Sequence, residues 1–282
     1  MQMIRQEMKR LFSSWMFRTV LLVSLLIPFL NTYEIWKYVQ NDLEWRKVGA
    51  SGQTENVVFS VFAKWIGIET YTSGYSLFFF VFPLLVCIGY CWSFRQELDT
   101  GYINQVVSRV GKERYLVSKY VVTFLSGGMI LALPLLVNLL VGMTFSNLAI
   151  PDKVYAYFNM GNRNFLGPLF YTHPLWFCVL YMLTDFAFGG ALACLGMTFS
   201  FFIKGRVLAL PVPFLLLLVW DHISKSYLIQ DNTIYTASIL RMAHPGPIDY
   251  YNPGKVFLMV IAGIVLITAL ITVNRARKHD VL

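Results

Sequence analysis

Few residues in this chain have the types and spacing that chemistry requires, and most of those exclude an activity. The four histidines, His173, His222, His244 and His279, are scattered, with no partner at metal-ligand spacing, and the zinc-protease pattern HExxH is absent. Gly111-Lys112 looks like the end of a phosphate-binding loop. Glu113 stands where the magnesium-binding Ser or Thr belongs, and Val106 where the first glycine belongs, so ATP has no cradle here. Leu125-Ser-Gly-Gly-Met129 imitates the signature loop of ABC ATPases, but it lies in an uncharged apolar run and reads as small residues for close helix packing. Cys87, Cys91, Cys178 and Cys194 all sit in apolar runs, where they are small core residues and not a disulfide framework. An intramembrane serine protease would need a histidine facing its serine, and the last apolar run has none.

Two features remain. Asp185 interrupts an otherwise uncharged apolar run, and such residues are costly enough to be functional candidates. Three roles fit it: a protonated structural acid bonded to a neighbour such as Asn138, a polar lining of a substrate path, or a proton-coupling site. The second feature is the polar stretch 95–119 between two uncharged runs. It carries Arg95-Gln-Glu-Leu-Asp-Thr-Gly101, then Val106-Val-Ser-Arg-Val110, then Gly111-Lys-Glu-Arg-Tyr-Leu-Val-Ser-Lys119. Leu98, Tyr102, Val106 and Val110 recur every four residues and make a helical apolar stripe. Such a stripe either docks on a soluble partner, with Val106, Val107 and Val110 filling a groove and Glu97 and Arg109 orienting the contact, or packs on the chain's own inner ends.

The elements that must hold these residues follow from composition. With 57% hydrophobic residues, 13% charged and a mean hydropathy of +0.58 over 282 residues, the solvent for most of the chain is lipid. A hydrocarbon core of ~30 Å needs ~20 apolar residues per crossing. Six segments meet or approach this: 16–36, 71–94, 120–150, 174–203, 207–223 and 256–274. The fifth is short and carries Pro211 and Pro213, and is expected to be a kinked helix. Nothing divides residues 1–282 into two domains; the expectation is a single all-α polytopic membrane protein.

Orientation follows from the basic residues. With a cytoplasmic N-terminus, 14 of the 23 lysines and arginines fall on inner segments, which then carry net charge +9, against 0 outside. The positive-inside rule therefore expects both termini in the cytoplasm, and membrane topology accounts for the overall +8 without a nucleic-acid partner. Residues 1–15 set Ile4, Met8, Leu11, Phe12 and Trp15 opposite Arg5, Lys9 and Arg10, the pattern of an interfacial amphipathic helix. The outer loops are rich in Trp and Tyr, as membrane-interface belts are.

Six spans with both ends inside, an interfacial helix leading into the first, and a Glu-x-x-x-Gly, apolar-faced helix, Ser-Arg, Tyr-Leu-x-x-Lys loop resemble the permease subunit of the type-2 ABC exporter family. The matching positions are Glu97, Gly101, Ser108, Arg109, Tyr115, Leu116 and Lys119. The resemblance implies a coupling helix within 95–119 that docks on two cytoplasmic ABC ATPase subunits. It further implies ATP and Mg bound by those partners and not by this chain, a second permease copy or paralogue, and a place in a bacterial cell membrane. The expected function is export of an amphipathic or hydrophobic substrate such as a peptide, drug, lipid-linked molecule or glycan, without enzymatic activity in this subunit. A stand-alone secondary transporter or channel is the alternative, and a membrane-embedded enzyme a third reading.

Overall fold

The computed structural model describes residues 2–47, 60–151, 160, 165–203, 211–227, 243 and 253–278. The elements in chain order are α1 (Gln2–Ser13), α2 (Trp15–Lys47), α3 (Val61–Lys64), α4 (Ser73–Asp99), α5 (Tyr102–Val110), α6 (Lys112–Gly142), α7 (Gly167–Thr172), α8 (Pro174–Phe199), α9 (Pro211–Tyr227) and α10 (Pro253–Lys278). Among the described residues there is no strand, only an isolated bridge between Ser60 and Asn147. Helix is the expected answer where lipid offers the backbone no hydrogen bonds.

Five helical segments are long and apolar enough to cross a membrane: Trp15–Asn41, Ser73–Asp99, Lys112–Gly142, Pro174–Phe199 and Phe257–Asn274. The chain is a multi-pass membrane protein. Of the expected fifth span, 207–223, residues 211–223 are helical. Its described apolar helix, Pro211–Ile223, spans about 20 Å, less than the ~30 Å of a bilayer core. Residues 207–210 lie outside the described residues.

Helix ends also differ from the apolar limits. α4 continues through Asp99 and α6 starts at Lys112, so of the expected 95–119 loop only Thr100, Gly101 and Gly111 are not helical. In these extensions Glu97 pairs with Lys119 inside the protein and Arg95 with Asp99, whereas Glu113 and Arg114 are exposed. α8 stops at Phe199, short of the expected Ile203.

The centre of the bundle is the α6–α8 contact, and glycines set its register. A Cβ on Gly127 would stand 2.3 Å from the Gly189 carbonyl oxygen, and one on Gly189 2.6 Å from that of Gly127. Phe186 covers Gly128 and Phe124 covers Gly190, the two rings meeting edge to face at 6.3 Å. The expectation that Leu125–Met129 serves close helix packing is met at these glycines. α8 and α10 run in the same direction. Phe257, near the start of α10, stacks on Phe165 just before α7, while Tyr120, near the start of α6, donates to the Val265 carbonyl and meets Thr268 farther along α10.

Candidate functional site

The site is built where α1, α4, α5 and α6 meet. α1 is amphipathic, and its buried residues are Leu11 and, against expectation for an acid, Glu7. Three residues apart on α4 come Tyr90 and Ser93, then Glu97; one turn apart on α6 come Tyr115 and Lys119. Each set occupies one helix face. Lys119 is fully buried, and its ammonium donates to Glu97 Oε1 at 2.6 Å, Ser93 Oγ at 2.5 Å and Glu7 Oε2 at 3.2 Å, while lying 4.8 Å from the centre of the Tyr90 ring. Tyr90 donates to Glu7 Oε2 at 2.8 Å, and Tyr115 donates to Glu97 Oε2. Arg10 closes the array from its solvent side, at 2.9 Å from both Glu7 Oε1 and Glu97 Oε1, with its guanidinium 5.0 Å from the Tyr102 ring centre.

Two carboxylates and two cations make this array neutral, the condition for burying charge. Burial alone would raise the Glu7 pKa, but the charges of Lys119 and Arg10 overcome it, and the carboxyl is held below its ordinary value. A cleft of about 250 Å³, walled by Arg10, Gln96, Glu97, Thr100 and Tyr102 among others, opens beside the array.

α5 rests on this base. Ile103 is buried in a small apolar cluster with Phe94, Tyr115, Leu116 and Met197, and Leu98, Val106 and Val107 pack partly against it. Asn104, Gln105, Ser108 and Arg109 are exposed, as is Tyr102. The turns at both ends demand glycine: Gly101 has φ +68° and Gly111 φ +88°, where a side chain is strained.

This geometry redistributes the expected roles. Glu97 and Lys119, expected to face a partner, are internal ties between α4 and α6. Val106 and Val107 are half-covered by the cluster that α4, α6 and α8 contribute, Val110 is partly covered, and Arg109 remains on the open face. Sequence reading missed Glu7, Tyr90 and Ser93. Glu7 carried a signal: it is the only acid in the first 18 residues and lies on the apolar face with Ile4, Met8 and Leu11.

Asn138 and Asp185 are not brought together. Asn138 donates to Pro28 O, Asn31 Oδ1 and Thr32 Oγ1 and accepts from Ile66 N, all within 3.2 Å. It pins the buried segment 61–68, whose Trp65 also donates to Leu135 O at 3.0 Å. Asn138 lies 11 residues beyond Gly127, whereas Asp185 lies only 4 before Gly189 on the antiparallel helix, so their depths differ by ~10 Å. The glycine register thus corrects the expectation that Asp185 could bond to Asn138. Asp185 is completely buried, and neither carboxylate oxygen has a hydrogen-bond partner among the described residues.

Among the described residues no three of His, Cys, Asp and Glu cluster as metal ligands, and all four cysteines are buried and free. His244 and His279 lie outside the described residues. No family model, no curated protein and no solved structure matches this chain.

Proposed function

We propose that this protein is the membrane-spanning subunit of an ATP-driven exporter, similar to the permeases of type-2 ABC exporters, with α5 as the helix that receives force from cytoplasmic ATPase subunits. The observation that carries the proposal is the seating of α5. It is a nine-residue helix held by Ile103 and glycine turns on a buried ionic base that ties α1, α4 and α6 together, with its polar face open. A push on a loose loop dissipates; a push on this element moves two spanning helices and the interfacial helix as one body. In this reading the α5 side is cytoplasmic, as the 14 inner basic residues require. Because α8 and α10 run the same way, the chain between them must cross back, and in this reading α9 belongs to that sixth crossing. Both termini are then cytoplasmic. The functional unit pairs this chain with a second copy or paralogue and two ATPases, in a bacterial cell membrane, and moves an amphipathic substrate outward.

Co-purification tests this. The chain, tagged and expressed with an ATPase encoded beside it, should retain that ATPase in mild detergent. Gln105→Glu with Arg109→Glu, both on the exposed face of α5, should release it while the permease stays monodisperse. Full ATPase recovery with the double variant, or none with the unaltered chain, sinks the proposal. A stand-alone carrier is favoured by the unpartnered carboxylate of Asp185, and transport by the purified chain without any ATPase would select it.

A further inference from the structure

Asp185 poses a question that the coupling base does not answer. An acid with both oxygens buried and without a partner among the described residues is among the costliest arrangements a helix bundle can hold, and native structures keep one only for a reason. Its surroundings indicate the reason. On the same face of α8, Tyr181 lies one turn before it and Phe188 one turn after, both buried. Tyr181 meets Trp65 edge to face at 6.3 Å, while Phe188 is tilted against Phe82 of α4 at 6.2 Å and Phe257 of α10 at 6.0 Å. One carboxyl group is thus flanked on its own helix face by rings that pack on aromatic side chains of α4, α10 and the segment after α3.

We infer that Asp185 is a recognition site for an organic cation: the transported molecule carries an ammonium or comparable positive centre flanked by apolar groups. The carboxylate supplies the countercharge, and the ring faces, negative at their centres, accept both the charge and its alkyl or aryl substituents. An anionic cargo would meet repulsion at this point, and a glycan would find rings where its hydroxyls need donors and acceptors. Asp185 is covered in this conformation, so entry requires α8 to part from α4 or α10. ATP-driven closure would bias that motion, and thermal opening suffices for equilibrium binding. The inference deepens the export reading and rests on it only for the direction and energy of movement.

Tetraphenylphosphonium and tetraphenylborate, nearly equal in size and opposite in charge, provide the test. The full chain in lipid nanodiscs should bind the phosphonium saturably and far more tightly than the borate. Asp185→Asn should weaken phosphonium binding at least about tenfold, as loss of a buried charge partner does, and leave the borate unchanged; Asp185→Glu should retain most of the affinity. Unchanged phosphonium affinity in Asp185→Asn, equal binding of both ions by the unaltered chain, or no saturable binding overturns the inference. If Asp185→Asn does not purify intact, the two-ion comparison on the unaltered chain decides alone. These measurements need no ATPase, so their failure leaves the co-purification result standing, and the converse also holds.

Discussion

Replacing Lys119 by methionine should be the most damaging single substitution at the α1 end of the bundle. Methionine nearly matches the apolar stem of lysine and removes the charge. Lys119 is 0% exposed and its ammonium is shared by Glu7, Glu97 and Ser93, so its loss leaves two buried carboxylates facing one half-exposed arginine. Breaking a buried pair from one side costs about 3 to 5 kcal/mol, which in a chain of this size corresponds to a melting point lower by roughly 10 °C. The four native cysteines report unfolding without engineering, since all are buried and a fluorogenic maleimide reaches them only as the bundle opens. The double variant Lys119→Met with Glu97→Gln returns the array to one anion and one cation and keeps an acceptor for Tyr115, so it should recover much of the loss. A Lys119→Met melting point within about 2 °C of the unaltered chain would refute the ionic base as a structural unit. So would a double variant whose loss is the simple sum of the two single losses.

Glu7 should give the protein an acid-sensitive limb: because its folded pKa is held below the ordinary 4.5, its contribution is complete above that pH and is lost as pH falls further, and Glu7→Gln should flatten the melting curve's dependence there. Gly127→Ala would place a methyl 2.3 Å from the Gly189 carbonyl and force α6 from α8; a loss of about 3 kcal/mol or more in thermal melting is expected, against little change for Gly263→Ala, where a Cβ meets nothing. Gly111→Ala, at φ +88°, should cost about 1 to 3 kcal/mol although the site is spacious, and Gly101→Ala, at φ +68°, about 1 to 2, both read by melting and by weakened ATPase retention.

The sequence determined the solvent, the number of firm spans and the polar stretch between the second and third. Those are properties of composition and run length: a stretch without charge and long enough for the bilayer announces itself wherever it folds, as at 71–94 or 120–150. It also placed Asp185 as a residue of interest, because charge inside an apolar run is expensive, Glu97 and Arg109 as charges beside the apolar stripe, and Lys119 through the family resemblance alone. Which way those side chains point was not legible. Glu97 and Lys119 turn inward because Glu7, 112 positions before Lys119, arrives on α1 to complete a neutral array, and no local pattern encodes a partner at that separation. A bond between Asn138 and Asp185 fitted the sequence because nothing in it sets their relative depth; the Gly127–Gly189 contact sets that register, and an interhelical register depends on which glycines meet. For the valines of α5 the sequence left docking and self-packing both open, because periodicity reports that a face is apolar and not what covers it. Tertiary packing decided that, through Phe94 of the preceding helix and Met197 of α8, remote in sequence.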